Sequence, residues 1–144
     1  MECGRLASFV RSIRDLCRPR GSLVCVHSEC DFADYEQVDG VHLPARGPRR
    51  DSAAAGRGLL GISCHCEREV RAAGAMGADY VFLSPVLPTA SHPGAAPLGW
   101  RRFAELCREA PVPVYALGGM ALTQLETAIE HGAQGIAMLS KAWE

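Results

Sequence analysis

At 144 residues, with 48% apolar residues and a formal net charge of −1, the chain reads as one ordinary globular domain, 1–144, large enough to bury a core. The near-neutral charge argues against general attraction to nucleic acid or to an anionic membrane, and no apolar run approaches the ~20 residues that a bilayer-crossing helix needs. The N-terminal stretch is amphipathic and carries arginines, but it lacks the long apolar core and the cleavage site of a secretory signal; a cytoplasmic protein is expected.

Apolar positions Leu6, Phe9, Val10, Ile13, Leu16 and Cys17 recur at helical spacing, predicting a helix over 6–18 that Pro19 and Gly21 end. Residues 22–27 read as a buried strand, 31–37 as a short acidic helix, and 38–43 as a second strand stopped by Pro44. The stretch 45–58, with Arg46, Arg49 and Arg50 among Gly, Pro, Ser and Ala, reads as a loop. A strand over 59–64 and a helix over 67–76 follow, with Glu67 and Glu69 in the first turn, where carboxylates suit the helix dipole.

The next strand, Tyr80-Val81-Phe82-Leu83, organises the rest of the chain. It stops at Ser84-Pro85 and delivers a loop rich in Pro, Gly and hydroxyl residues, after which a helix over 100–109 begins. Strand 112–117 ends in Gly118-Gly119, helix 122–131 ends at Gly132, and strand 135–139 ends at Ser140. Six apolar strands alternating with helices predict an α/β fold with parallel strands: an incomplete TIM-type (β/α) barrel, with an open doubly wound sheet as the alternative.

The seven cysteines sit mostly in apolar runs or on helical faces, as buried thiols do. Cys64-His65-Cys66 invites a zinc reading, but no second spaced pair supports it, and packing is the expected role. In α/β folds ligands gather on the loops after the strands, and in barrels a phosphate often rests after the last two. Here those loops begin at Gly118-Gly119 and Ser140, where backbone N–H groups and a hydroxyl can approach an anion; a tight turn without a ligand is the alternative. Thr89, Ser91 and His92 bring short polar groups to the central loop, and a rigid connector is the alternative there. Ser63 and His65 end another strand, with His65 placed either to face a ligand or to cap a helix, and His42 is expected to pack.

Several of these segments, in order and across nearly the whole chain, resemble the thiamine phosphate synthase/TenI family: Gly-Val-His-Leu at 40–43, Gly-Ile-Ser-Cys-His at 61–65, Gly-Ala-Asp-Tyr-Val at 77–81, Pro-Val-Leu-Pro-Thr at 85–89, Leu-Gly-Gly at 117–119 and Gly-Ile-Ala at 135–137. The run from Pro88 to Pro93, with Leu98-Gly99-Trp100, is most similar to synthase-like domains fused behind a Nudix hydrolase. The resemblance implies a transferase that joins hydroxymethylpyrimidine diphosphate to thiazole phosphate and releases diphosphate with Mg²⁺ assistance. By position, Thr89, Ser91 and His92 would contact the diphosphate and thiazole side and Ser63 the pyrimidine diphosphate, which makes Ser63 and His92 the catalytic candidates. Gly119, Leu139 and Ser140, beside Gly118, would hold the thiazole phosphate.

The chain also departs from the family pattern. The first two strands and their helix have no counterpart, the metal-binding Asn-Asp falls on His27-Ser28, and the second metal carboxylate falls in 44–47, which holds no acid. Mg²⁺ thus lacks its usual ligands. The TenI branch shares Leu43-Pro44 and the loss of these acids, but uses a histidine where this chain has Pro85. The expectation is a thiamine phosphate synthase-like domain, with a catalytically weakened module binding thiamine phosphate or a related phosphorylated pyrimidine or thiazole as the alternative. A Nudix domain upstream is a possible partner, and a homo-oligomer is expected because six strands leave two sheet edges open.

Overall fold

The structure, a computed structural model, describes residues 3–27, 38–45, 58–91 and 94–143. The acidic helix expected over 31–37, most of the loop over 45–58 and His92 lie outside these residues. Six parallel strands are hydrogen-bonded in chain order: β1 (Cys25–His27), β2 (Gly40–Leu43), β3 (Leu59–Cys64), β4 (Tyr80–Leu83), β5 (Val114–Ala116) and β6 (Gly135–Ile136). The order is linear rather than closed, so the sheet is the open α/β form of a barrel-like alternation. Helices α2 (Glu67–Ala75), α3 (Gly99–Glu109) and α4 (Leu125–Glu130) connect β3 through β6, and α1 (Cys3–Cys17) precedes β1.

The chain packs as two compact units, Met1–Gly61 and Ile62–Glu144, with β3 running through the boundary. In the first unit α1 ends in a 3₁₀ turn, Arg18–Arg20, closed by Gly21. β1 pairs in parallel with β2, setting Val26 beside Val41 and His27 beside His42. β1 is shorter than the predicted 22–27, for a local reason. The Ser22 N–H returns to the Cys17 carbonyl (3.3 Å), and the Val24 N–H donates to Asp39 Oδ2 (2.8 Å), so this stretch bonds to a helix end and a side chain instead of to a strand. Val41 and Leu43 are buried, each 2% exposed.

The second unit holds the larger core. Val81 and Leu83 of β4 are wholly buried, as are Phe103 of α3, Ala116 of β5 and Ala128 of α4. Tyr80 and Phe82 alternate with Val81 and Leu83, and with Tyr115 of β5 they form an aromatic cluster on the opposite face, with centroids 5.3–6.2 Å apart. β5 is shorter than predicted because Pro111 and Pro113 carry no N–H, although the Pro113 carbonyl still accepts from Val81 N (2.9 Å). β6 keeps two residues of the predicted five: Ala137 makes one more bond, to the Ala116 carbonyl, before the chain turns into a 3₁₀ helix over Ser140–Trp143. The helix predicted over 122–131 starts as a 3₁₀ turn, Leu122–Gln124, where Gln124 Oε1 accepts the Ala121 N–H (2.9 Å).

Candidate functional site

The loop after β4 is pinned at both ends by backbone hydrogen bonds. Ser84 N donates to the Cys64 carbonyl (3.0 Å), and the Ser84–Pro85 peptide is cis. Val86 N donates to Leu117 O (2.9 Å) and Leu87 N to Gly118 O (3.1 Å), lacing the loop onto the segment that leaves β5. Leu98 N returns to Pro85 O and Gly99 N to Val86 O (each 2.9 Å), which fixes the start of α3. Val86 is fully buried beneath this arrangement. Gly118 and Gly119 adopt φ of +92° and +69°, the left-handed region in which a side chain is strained.

Three strand ends thereby surround one cavity of about 370 Å³ within the second unit. The β4 end contributes Ser84, Pro88, Thr89, Ala90 and Ser91; the β5 end contributes Leu117, Gly118, Gly119 and Met120; the β6 end contributes Ala137 through Lys141. The cavity brings together Thr89, Ser91, Gly118, Gly119, Leu139 and Ser140, which the sequence assigns to substrate and phosphate. Thr89 Oγ1 accepts the Ser91 N–H (3.3 Å), holding the two hydroxyl residues in one turn. Among the described residues, neither Gly118 nor Gly119 gives its N–H to a backbone carbonyl, which leaves two donors for solvent or a ligand.

Of the two residues assigned to catalysis, Ser63 is half-buried on β3 and is not among the described residues that line the cavity, and His92 lies outside the described residues. Sequence reasoning overlooked Ser84 and Lys141, both in the wall. In the sequence Ser84 reads as the stop of a strand, and Lys141 lies beyond the last one. Their position after β4 and β6, where an α/β fold gathers ligands, was the available signal.

His65 turns to the start of α2. Its backbone N–H donates to Glu69 Oε2 (2.7 Å) and its Nδ1 lies 3.2 Å from the same oxygen, while the N-cap of α2 is Cys66 and no side chain caps it. Burial first, then Glu69 and Cys66, pushes the Cys64 thiol up to about 12, and burial does the same to Cys107. Both thiols are held in the protonated form, Cys64 in the core and Cys107 half-buried. His42 is half-buried, and its pKa is lowered to about 4, by burial and then by His27, whose ring centroid is 6.4 Å away.

Mg²⁺ fits the described residues poorly. Where the family's metal acids belong, the described positions are His27, Pro44 and Ala45, and the described residues of the cavity lining include no carboxylate. Among the described residues, no three His, Cys, Asp or Glu side chains gather as a metal site. A hard cation needs oxygen ligands, which these positions do not supply.

Comparison with known proteins agrees with this geometry. A family model described as thiamine monophosphate synthase matches residues 1–142. A putative thiamine-phosphate synthase 2 of Aquifex aeolicus (strain VF5) is 32% identical over 94% of this chain and 74% of its own length. A thiamine-phosphate synthase of Bacillus velezensis (strain DSM 23117 / BGSC 10A6 / LMG 26770 / FZB42) is 33% identical over 92% of this chain, which spans 61% of that relative. Among solved structures, a thiamine phosphate pyrophosphorylase from Pyrococcus furiosus superposes with a TM-score of 0.83 at 25% identity, over 97% of this chain and 68% of its own. With the family model spanning almost every residue, this chain belongs to the thiamine monophosphate synthase family.

Proposed function

We propose that the chain acts in thiamine biosynthesis as a thiamine phosphate synthase-type transferase, joining hydroxymethylpyrimidine diphosphate to thiazole phosphate. The bond from the pyrimidine methylene carbon to the diphosphate oxygen breaks first, diphosphate leaving with the electron pair, and the lone pair of the thiazole nitrogen then forms a bond to the pyrimidine carbocation. The observation that carries this reading is the cavity in which Thr89, Ser91, Gly118, Gly119 and Ser140 converge after three adjacent strands. In this reading the glycine amides and Ser140 hold the thiazole phosphate, and Thr89 and Ser91 donate to the departing diphosphate. Ser63 and His92 are assigned to the pyrimidine diphosphate and the diphosphate by their match to the family's positions.

A second reading draws on the missing carboxylates: a module that binds thiamine phosphate without making it. His27, Pro44 and Ala45 at the metal positions favour it, because charge on a leaving diphosphate would go unbalanced by a protein-held cation. Incubation of the purified chain with both substrates and Mg²⁺, with thiamine phosphate followed by chromatography, separates the two. Product formation above the uncatalysed background supports the synthase. Binding of thiamine phosphate with no turnover supports the module and contradicts the synthase.

A further inference from the structure

Of the described residues lining the cavity after β4, β5 and β6, none is acidic, and among them Lys141 alone carries a cationic side chain. Around it stand the hydroxyls of Ser84, Thr89, Ser91 and Ser140, and the N–H groups of Gly118 and Gly119 that reach no backbone carbonyl among the described residues. Every polar side chain in this wall can donate a hydrogen bond, and the only full side-chain charge is positive. Such a lining selects an anion, and its many short donors suit a tetrahedral oxyanion better than a planar carboxylate. Lys141 lies in the exposed 3₁₀ turn Ser140–Trp143, directly after the hydroxyl assigned to the phosphate. A flexible four-carbon stem from that position can carry a compact ammonium to a ligand in the cavity.

We propose that Lys141 supplies the counter-charge for the phosphate group of the ligand, and so sets the preference of this cavity for phosphorylated over unphosphorylated thiamine or thiazole compounds. The inference rests on the reading of the cavity as a phosphate site and adds to it the source of charge. The described lining offers no carboxylate to hold a metal, so the ammonium balances an anion that the hydroxyls and amides only orient.

The test compares calorimetric affinities for thiamine phosphate and for thiamine in the unaltered chain, Lys141→Met and Lys141→Arg, with thermal melts to establish that each variant folds. The unaltered chain is expected to prefer thiamine phosphate, with an affinity that weakens as salt is raised. Lys141→Met is expected to lose about tenfold or more toward thiamine phosphate, to keep its affinity for thiamine, and to show a flatter salt dependence. Lys141→Arg is expected to restore most of the preference, which a merely structural role of the stem would not require. Equal preference for the phosphorylated ligand in the unaltered chain and in folded Lys141→Met overturns the assignment of Lys141 and leaves the phosphate site standing. Failure of the unaltered chain to distinguish the two ligands overturns both. If Lys141→Met does not fold, Lys141→Gln takes its place under the same criteria, and an affinity of the unaltered chain for thiamine phosphate that salt does not change overturns the role.

Discussion

A Cβ on Gly118 would stand 2.7 Å from Pro85 Cα, and one on Gly119 would stand 2.7 Å from both Leu87 Cβ and Pro88 O. The glycine pair is therefore demanded by the close approach of the β4 loop, before any ligand is considered. A bulky residue at Gly119 would displace the loop that carries Thr89 and Ser91, so loss of binding in such a variant would report on the wall as well as on backbone approach to the ligand. His42 offers a residue-scale prediction with a definite sign. Its pKa falls from 6.5 to about 4 on folding, so the unfolded chain binds the extra proton in that window. The stability contributed by neutral His42 is fully present above pH 6.5 and is lost as pH falls toward about 4, by at most about 3 kcal/mol. Denaturant midpoints measured down this range should drop, and less so in His42→Gln. A variant with the unaltered pH profile would contradict the assignment.

At the scale of elements, surface ion pairs bridge α2 and α3, while a buried aromatic ring seats α3 itself. Arg71 bridges Glu67 (2.8 Å) and Glu109 (3.3 Å), while Arg102 reaches Glu105 (2.9 Å) and Glu67 (3.6 Å). The Glu105 hydrogen bond raises the Arg102 pKa above its ordinary value, and the Arg102 bond lowers that of Glu105, but both groups sit in solvent and are screened. Phe103, between them in sequence, is fully buried with its ring 5.7 Å from Trp100 in an edge-on contact. Arg71→Ala should cost less than about 1 kcal/mol, whereas Phe103→Ala should cost about 3–5 kcal/mol through lost burial and the cavity left behind. Thermal melts of the two variants measure the difference, and a loss in Arg71→Ala as large as that in Phe103→Ala would contradict this ranking.

For the molecule as a whole, the sequence makes the sequence of strands plain and their ends obscure. Tyr80-Val81-Phe82-Leu83 and Leu59 to Cys64 declare themselves because apolar residues run unbroken into clear stops, such as Ser84-Pro85. The ends of β1 and β6 do not, because a ladder ends where its partner's hydrogen bonds go elsewhere: Val24 is drawn to the Asp39 carboxylate, and the chain past Ala137 turns into the 3₁₀ helix. The same contrast holds for the site. Gly118-Gly119 and Ser140 are visible as strand-end residues of the right chemistry, while Lys141 gains meaning only when the folded chain sets it in the wall with Thr89 and Ser91.

The central claim is that this wall holds a phosphorylated thiamine compound. Calorimetric titration of the purified chain with thiamine phosphate, once with Mg²⁺ and once with a chelator, tests it most directly. Because the described cavity lining offers hydroxyls, amides and one ammonium but no carboxylate, saturable one-to-one binding is predicted in both conditions, with little change in affinity between them. Absence of binding in both would contradict the claim.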